Sequence, residues 1–379
     1  MKASVLRLFK DSFGEHPRFL VRSPGRVNMI GEHTDYNDGF VFPMAIDYAV
    51  WIAFSPVPDK SVSLIAGDFG ESGGFHLEAF RNTQSGWIEY IKAVASVLQN
   101  RGYTLSGWKG CILSNLPIGS GLSSSAALEM AAIKAFSGVS GFCLKPAEMA
   151  VIGQKAENHW VGINCGIMDQ LASACGVRDC ALLIDCRSLE LEAVPVPEKA
   201  VIAVLDTTTR RKLLGTEYNH RRQQCETAAA FFGVTALRDL TLEKLLSRYD
   251  RLDEAVGRRA LHVVSESDRV LSTVRHLKNG DLEAAGHLIH DSHVSLRDLY
   301  EVSSQPLNQI VEAAMESSGC YGARMTGAGF GGCGVALVDK MKSEPFSHEL
   351  CQRYRSKSGL TAEVFITPAT AGTELIPLD

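Results

Sequence analysis

Strand-like and helix-like segments do not alternate regularly along this chain of 379 residues. Two runs with strand character, FLVRSP (19–24) and FVFPMAI (40–46), precede the first long helical pattern, SGWIEYIKAVASVLQNRG (85–102). Two further strand patterns, ALLIDC (181–186) and KAVIAVLDT (199–207), again follow each other without a helix between them. Because neighbouring strands of a parallel sheet need a crossover helix, this order favours the α+β class over a doubly wound sheet.

A boundary between two domains is predicted near the segment LELEAVPVPEK (189–199), which mixes acidic residues with two prolines. The chain is long enough for two cores, so we expect an N-terminal lobe of residues 1–190 and a C-terminal lobe of residues 191–379. The second half is richer in helical patterns, among them SLRDLYEVSSQPLNQIVEAAMES (295–317). Most of the charges between residues 207 and 293 are interpreted as solvated helix faces.

Composition excludes several classes of function. The chain has 38 basic and 43 acidic residues and a net charge of −5, so nothing indicates a nucleic-acid or anionic-membrane partner. The N-terminus lacks the apolar region of a signal peptide, and no apolar run reaches the ~18 residues of a membrane-spanning helix. The 10 cysteines form no CxxC pair. We therefore expect reduced thiols and a cytoplasmic protein.

A glycine–serine loop (residues 116–125) precedes an alanine-rich helical pattern in LPIGSGLSSSAALEMAAIKAF. The first N–H groups of a helix lack internal partners and, with the helix dipole, favour an anion such as phosphate. Glycines allow close approach of the backbone, and serine hydroxyls can bind phosphate oxygens or Mg²⁺. No Gly-Lys-Ser/Thr follows, so this is not a Walker-type loop. The alternative is a capped helix after a tight turn.

Three other segments concentrate polar residues or glycines. The polar loop GRVNMIGEHTDYND (25–38) lies beside an apolar strand, and the glycine-rich segment RMTGAGFGGCGVAL (324–337) has four glycines in six positions. In CGIMDQLAS the apolar neighbours of Asp169 predict a buried carboxylate, which needs a partner, a metal or a catalytic role. The alternative is that Asp169 caps the helix QLASAC. Cys165 is interpreted as a small buried filler.

These segments together resemble the galactokinases, a family of small-molecule kinases within the GHMP superfamily. The resemblance runs from Arg22 to about Val335 and rests on GRVNMIGEHTDYNDGFVFPMAI, LPIGSGLSSSAALE, CGIMDQLAS, GTEYNHRR and MTGAGFGGCGVAL. The first of these separates galactokinases from mevalonate and homoserine kinases. One departure is Ala328, where many relatives carry glycine. Its methyl group is tolerated if its φ angle is negative.

The resemblance implies a two-lobed α+β fold of the GHMP-kinase type, with an active site in the cleft that phosphorylates galactose at its anomeric hydroxyl with ATP. It places Asp169 opposite that hydroxyl, as a base or an orienting charge, and Arg26 beside the transferred phosphoryl group. It implies sugar contacts from Glu32, His33, Thr34, Asp35 and Tyr218. The implied phosphate cradle is Gly119, Ser120, Gly121, Leu122, Ser123, Ser124 and Ser125. Ser125 and Glu157 would be the Mg²⁺ ligands.

Two alternatives stay open from the sequence. One is the same chemistry on a related sugar, N-acetylgalactosamine or arabinose. The other is a non-catalytic sensor of galactose and ATP, a class that the complete GLSSSAAL segment and the presence of Arg26 and Asp169 disfavour. We expect a monomer that binds galactose and ATP.

Overall fold

The structure is a computed structural model that describes residues 1–84, 86–117, 119–210 and 215–378, without the side chains of residues 215 and 216. The strands are β1 (Phe19–Asn28), β2 (Phe40–Val41), β3 (Pro43–Pro56), β4 (Ser61–Ala66), β5 (Glu71–His76), β6 (Trp108–Ser114), β7 (Cys180–Asp185), β8 (Leu191–Pro195), β9 (Ala200–Asp206), β10 (Cys320–Met325), β11 (Cys333–Asp339), β12 (Glu363–Thr367) and β13 (Glu374–Pro377). The helices are α1 (Lys2–Phe13), α2 (Ile88–Asn100), α3 (Ser124–Ser140), α4 (Pro146–Ala156), α5 (Met168–Cys175), α6 (Gly215–Phe232), α7 (Leu242–Leu246), α8 (Glu254–Lys278), α9 (Leu282–Ser295), α10 (Gln305–Met315) and α11 (Ser343–Ser358).

The larger sheet has the strand order β13-β1-β3-β6-β4-β5 and is antiparallel except where β4 pairs with β6. The helices α2, α3 and α5 cover one face, and α1 covers the other through Val5 and Phe9. In the core, the ring of Trp108 makes edge contacts with Phe54 and Phe136, both at 5.6 Å between ring centres. Such rings bury large apolar areas, so this packing fixes the sheet against α3.

The second main sheet has the order β10-β11-β9-β12 and is antiparallel throughout. The helices α9, α10 and α11 pack on it, and the long helix α8 lies between α6 and α9. Helices thus gather on the faces of antiparallel sheets instead of separating successive parallel strands. The α+β prediction is confirmed.

Two features of the fold bear on the sequence predictions. The boundary at residue 190 falls inside the hairpin of β7 and β8, where Ile184 pairs with Leu191, and β13 returns from the C-terminus to pair with β1. The segment 295–317 is not one helix: a π-helical turn ends at Tyr300, Glu301 has a φ angle of 55°, and α10 starts at Gln305. Pro306 follows Gln305, and proline is tolerated only in the first turn of a helix. This explains why a new helix begins here instead of one helix running through the segment.

The fold brings β1 and the glycine–serine loop into direct backbone contact. β1 changes register between Pro24 and Arg26, and a Cβ atom at Gly25 would lie 2.5 Å from the Leu122 carbonyl oxygen. The Arg26 N–H donates to that same oxygen at 3.1 Å. Only glycine permits this approach, which directs the Arg26 side chain towards the start of α3. None of the helices in the described ranges is long and apolar enough to cross a bilayer.

Candidate active site

A cavity of about 260 Å³ lies where the polar loop, the glycine–serine loop and α5 meet. It brings together all of the predicted site residues except Thr34, Ser120 and Leu122. The predicted residues that line it are Arg26, Glu32, His33, Asp35, Gly119, Gly121, Ser123, Ser124, Ser125, Glu157, Asp169 and Tyr218. The gathering of these side chains from distant parts of the chain is typical of an active site.

The polar loop turns sharply, and Thr34 stabilises that turn instead of facing the cavity. The Thr34 hydroxyl lies 2.8 Å from the Gly31 carbonyl oxygen and 2.7 Å from that of Phe40, and the side chain is fully buried. Thr34 is not among the residues that line the cavity, and its sugar contact stays a prediction. His33 has a φ angle of 63°, which turns the backbone at the cavity wall.

Glu32 connects the polar loop to the glycine-rich segment. Its carboxylate accepts from the Gly327 N–H at 2.5 Å, pairs with Arg324 at 3.2 Å and is hydrogen-bonded by Asn28. Burial raises the pKa of Glu32 to about 7, although Arg324 acts to lower it. Glu32 therefore has protein partners as well as a place in the cavity wall, and its sugar contact stays a prediction.

An aromatic cluster forms one wall of the cavity. His33 Nδ1 is 2.8 Å from the Tyr36 hydroxyl, which in turn is 2.7 Å from the hydroxyl of Tyr300. The Tyr218 ring lies 5.6 Å from the His33 ring and 5.2 Å from that of Tyr36. Burial holds the pKa of His33 well below its usual range, so this imidazole is neutral. The cluster provides a rigid wall with polar tips.

Asp35 points into the cavity against the backbone of Gly166. A Cβ atom at Gly166 would lie 1.9 Å from Asp35 Oδ2, so no side chain fits there. The Tyr36 N–H donates to Oδ1 at 3.0 Å. Desolvation by the surrounding protein raises the pKa of Asp35 to about 6, and the charge of Asp169 adds to the shift. Gly166 is part of the segment CGIMDQLAS, but the sequence does not indicate its role. Only the folded chain shows that it leaves room for the Asp35 carboxylate.

Asp169 joins the two loops. Its Oδ1 accepts from Arg26 Nε at 2.8 Å and lies 2.7 Å from Nη2, while Oδ2 accepts from the Ser123 hydroxyl at 2.5 Å. The expectation of a buried carboxylate is wrong, since its side chain is 31% exposed to the cavity. The capping alternative is also wrong, because Ile167 is the N-cap of α5 and no side chain caps that helix. Asp169 is thus an accessible carboxylate held beside an arginine.

The glycine–serine loop presents mainly backbone to the cavity. Gly119 and Gly121 have φ angles of 69° and 83°, and α3 starts directly after Ser123. Two side chains of the loop point away from the cavity: the Ser120 hydroxyl donates to the Pro117 carbonyl at 2.6 Å, and the Leu122 side chain packs in the core. The backbone N–H groups of these residues are the atoms left for a phosphate, and their phosphate contacts stay predictions. The N–H groups that open α3 remain suited to an anion.

The predicted metal ligands, Ser125 and Glu157, line the same cavity. Glu157 begins a π-helical turn, Glu157–Val161, a feature frequent at functional sites. Its carboxylate accepts from Gln170 Nε2 at 2.8 Å, and burial raises its pKa to about 7, with a further contribution from Asp169. Hard oxygen donors beside a phosphate-type loop suit Mg²⁺. Within the described ranges, no three His, Cys, Asp or Glu side chains form an all-protein metal site.

Helix α8 supports the polar loop from behind. The Gly31 N–H donates to Glu266 Oε1 at 3.0 Å, and His262 Nε2 lies 3.1 Å from the Glu32 carbonyl oxygen. Glu266 Oε2 accepts from Arg269 at 2.7 Å. Burial acts to raise the pKa of Glu266, but the positive charges around it prevail and hold it at about 2. Glu266 and His262 are fully buried, so they are exceptions to the interpretation of most charges in this region as solvated.

Sequence reasoning missed a second cavity, of about 540 Å³, which shares Tyr90, Ser124 and Ser125 with the first. Its lining is mainly apolar and includes Trp87 at the start of α2. Arg210 lies at its edge and makes a two-pronged pair with Asp206 at 2.7 and 2.9 Å. The spacing of Trp87 and Tyr90 by three residues was the available signal, since such residues share a helix face.

Comparisons with known proteins agree with this geometry. The galactokinase galactose-binding signature matches residues 7–56, the GHMP kinases N-terminal domain residues 89–177, and the GHMP kinases C-terminal domain residues 273–356. The chain is 44% identical over 369 residues to a galactokinase of Roseiflexus sp. (strain RS-1), covering 96% of this chain and 94% of that protein.

Solved structures give the same result. The crystal structure of Lactococcus lactis galactokinase complexed with galactose matches with a TM-score of 0.94 at 33% identity, covering 98% of this chain and 99% of that one. Methanococcus jannaschii mevalonate kinase shares the fold, with a TM-score of 0.67 at 22% identity over 93% of this chain and 98% of that one. Since near-full-length sequence identity, the galactose-binding signature and the fold agree, this chain belongs to the galactokinase family of the GHMP kinases.

Proposed function

We propose that this enzyme transfers the γ-phosphoryl group of ATP to the anomeric hydroxyl of galactose, giving galactose 1-phosphate and ADP. Membership in the galactokinase family supports both the reaction and the sugar, as does the galactose complex of the Lactococcus lactis relative. The observation that carries the proposal is the position of Asp169. It lies between Arg26 and the glycine–serine loop, in the cavity that Asp35 also lines.

The acceptor side of the reaction is assigned to Asp169 and Arg26. The sugar oxygen forms a bond to the γ-phosphorus, the bond from that phosphorus to the β-phosphate oxygen breaks, and ADP leaves. Asp169 orients the hydroxyl and takes its proton, and Arg26 holds Asp169 in position and stabilises the charge that develops on the transferred group. Phosphoryl transfer depends mainly on such positioning and charge stabilisation.

Sugar recognition is assigned to Asp35 and the aromatic wall. The Asp35 carboxylate lies tight against Gly166, so it is a fixed acceptor for hydroxyl groups of the ring. The rings of Tyr218 and His33 line the same cavity and form an aromatic wall for the sugar. A buried acceptor that loses its water must recover hydrogen bonds from the substrate, which makes the matching hydroxyl decisive.

Nucleotide binding is assigned to the second cavity and to the start of α3. The apolar surface around Trp87 suits a flat base, and the shared residues Ser124 and Ser125 lead from that cavity to the sugar cavity. The phosphates then reach the N-terminus of α3, where the helix dipole favours negative charge. Arg210 borders this path, so its guanidinium is a candidate for a phosphate contact.

Mg²⁺ is assigned to Ser125 and Glu157. When bound with ATP, the ion supplies charge neutralisation for the phosphates. Both side chains line the sugar cavity, Ser125 also lines the second cavity, and Gln170 donates to the Glu157 carboxylate. Ser125→Ala and Glu157→Ala should raise the Mg²⁺ concentration needed for half-maximal turnover or abolish turnover. Unchanged thermal unfolding would show that the fold is intact, and Mg²⁺ titrations that overlay the parent would refute this assignment.

The test of the proposed function is a coupled assay of ADP release with ATP and a panel of sugars. We expect turnover with galactose, far less with glucose, N-acetylgalactosamine or arabinose, and ³¹P NMR of the product should show a sugar 1-phosphate. Turnover that is higher with another sugar of the panel would overturn the substrate assignment. Binding of galactose and ATP without turnover would identify a sensor instead.

We further propose that the enzyme works as a monomer in the cytoplasm. Nothing in the reaction requires a second copy, because the sugar, phosphate and nucleotide sites are lined by a single chain. Light scattering after gel filtration tests the first point, with a mass of about 41 kDa expected from the 41.1 kDa chain. A mass of twice that value would replace the monomer with a dimer.

A further inference from the structure

Ser123 is the N-cap residue of α3, yet its hydroxyl does not cap the helix. Serine is favoured at this position because its oxygen accepts from an N–H of the first turn. Here no such hydrogen bond forms, and the hydroxyl donates to Asp169 Oδ2 at 2.5 Å instead. Ser123 also has a φ angle of 61°, an uncommon conformation for a residue with a side chain. The backbone is thus held so that this hydroxyl reaches α5.

In this arrangement both oxygens of Asp169 are in use. Oδ1 faces Arg26, with Nε at 2.8 Å and Nη2 at 2.7 Å, and Oδ2 accepts from Ser123. In the proposed function the anomeric hydroxyl of the sugar must donate to Asp169. The oxygen that faces away from Arg26 is the one that accepts from Ser123. A carboxylate oxygen can accept two hydrogen bonds, but an oxygen that already accepts a short one is a weaker acceptor for a second, so Ser123 and the sugar hydroxyl compete for its accepting strength.

A bound phosphate would end this competition. The first turn of α3 lacks a side-chain cap, so its N–H groups are available to an anion that lines up with the helix dipole. Ser123 lies at the entrance of this turn and lines the same cavity as Ser124 and Ser125. A phosphate oxygen placed there is a charged acceptor within rotation of the Ser123 hydroxyl about its side-chain bond. Once the hydroxyl donates to phosphate, Asp169 Oδ2 is released for the sugar.

We propose that Ser123 couples the nucleotide site to the acceptor site by exchanging its hydrogen bond from Asp169 to a phosphate oxygen of ATP. This inference rests on the proposed function. It makes Ser123 a positioning residue, which prepares the acceptor carboxylate only when the phosphoryl donor is present. It also requires that nucleotide and galactose bind with positive cooperativity, and that each tightens the other by the same factor.

The test is the binding of galactose by isothermal titration calorimetry, with and without the Mg²⁺ complex of β,γ-imido ATP. In the parent protein the analogue should tighten galactose by about 5-fold or more, the lower range of measured allosteric couplings. In Ser123→Ala this factor should fall to about 1, because galactose binds the free protein as well as the nucleotide complex. A merely structural role for Ser123 would weaken both affinities and leave their ratio unchanged.

Two further variants keep the result interpretable. Ser123→Gly also removes the hydroxyl, but glycine suits a φ angle of 61°, so this variant should fold even if Ser123→Ala does not. It too should lose the coupling. Ser137→Ala removes a hydroxyl at the other end of α3, which donates to the Lys134 carbonyl oxygen and lines neither cavity, and should keep the parent's coupling factor. Retained coupling in Ser123→Gly, or equal loss in Ser137→Ala, would overturn the proposal.

The same titrations separate this inference from the proposed function. If the parent binds neither galactose nor the nucleotide, the proposed function fails and the coupling fails with it. If the parent binds both and phosphorylates galactose, but the analogue leaves galactose affinity unchanged, only the coupling role of Ser123 is wrong. The reciprocal titration, analogue into protein with and without galactose, must give the same factor.

Discussion

The polar loop and the glycine–serine loop meet in one cavity but are held in different ways. The polar loop depends on side chains from distant helices and strands: Glu266 binds the Gly31 N–H, and Arg324 pairs with Glu32. The glycine–serine loop is held mainly by contacts of its own backbone, as in the bond from the Arg26 N–H to the Leu122 carbonyl oxygen. The polar loop is thus held by a network of buried charged side chains, and the glycine–serine loop by hydrogen bonds of backbone groups.

This difference fits the ligands proposed for the two loops, galactose for the polar loop and the phosphates of ATP for the glycine–serine loop. A sugar is neutral and is distinguished by the direction of its hydroxyl groups, so the acceptors that read it must be fixed, and buried polar networks fix them. A phosphate is charged and is bound by N–H groups and a helix dipole, which a short stretch of backbone supplies. The polar loop should therefore be sensitive to changes far away in sequence, and the glycine–serine loop to changes of its own backbone.

The largest effect is expected at Asp169, where the two loops are joined. Asp169→Asn keeps the shape of the side chain but removes the charge opposite Arg26. We expect kcat to fall about 10²–10⁴-fold, the usual contribution of a general base, while galactose and ATP still bind. Steady-state kinetics with calorimetric binding checks this. Asp291→Asn, an exposed change on α9, is the control and should match the parent. Near-parent turnover in folded Asp169→Asn would exclude the residue from the mechanism.

The next effect tests the network behind the polar loop. Glu266→Gln removes a buried charge that faces Arg269 and accepts from Gly31. Losing one partner of a buried pair should lower the free energy of unfolding by about 3 kcal/mol, measured by urea denaturation. Glu283→Gln, on the exposed face of α9, should change it by less than ~0.5 kcal/mol.

The folded-state pKa of Glu266 lies below its usual value of 4.5, so its contribution to stability is present above pH 4.5 and is lost as the pH falls towards 2. The difference in stability between parent and Glu266→Gln should therefore shrink as the medium is acidified through that range. A difference that is constant from pH 7 to pH 3 would contradict the ionised state of Glu266.

A smaller, pH-dependent effect is expected at Asp35. Its pKa is raised to about 6, and the charges nearest to it are Asp169, which raises the value, and Arg26, which lowers it. Galactose needs the ionised form as a hydrogen-bond acceptor, so its affinity should fall below pH 6 by up to about tenfold per pH unit. Calorimetric titrations between pH 5 and pH 8 measure this. Asp35→Asn should bind galactose more weakly at pH 8, and its affinity should no longer fall below pH 6. If the affinity of that variant still falls near pH 6 as in the parent, the titrating group is not Asp35.

The smallest effect is expected within the glycine–serine loop. Ser120 faces away from the cavity and donates to the Pro117 carbonyl, so Ser120→Ala should cost about 1 kcal/mol of stability and leave the KM for ATP within about twofold. Ser137→Ala removes a similar bond in α3 and is the matched control. A tenfold rise in KM for ATP would instead identify the Ser120 hydroxyl as a phosphate ligand. It would also show that side chains, and not only the backbone, bind phosphate in this loop.

Much of the candidate site could be read from the sequence because its residues cluster in short motifs. The polar loop, the glycine–serine loop and Asp169 are all apparent in the sequence, and the cavity brings them together. The orientation of single residues within the motifs is not apparent there. Thr34 and Leu122 match their motifs but do not line the cavity, because successive side chains of a tight loop point in different directions. A motif indicates which residues are near the ligand and not which of them face it.

Ala328 illustrates a prediction that needed one conformational fact. Its methyl group was expected to be tolerated at a negative φ angle, and Ala328 is absent from the positive-φ residues of the described chain, although its neighbours Gly327 and Gly329 have φ angles of 81° and 84°. The prediction is confirmed. The residue lines the cavity, so the departure from glycine occurs at the ligand surface without backbone strain.

The sequence by itself determined the α+β class and the short segments that form the site, because periodicity and glycine-rich turns are local properties. The family followed from the resemblance of those segments to the galactokinases. The tertiary structure alone decided the bond from Ser123 to Asp169, which joins residues 46 positions apart, the support of the polar loop by Glu266, and the second cavity beside Trp87. The physical reason is that a buried polar group must find its partner in space. Which partner it finds depends on how the helices and sheets pack, and no local pattern records that packing.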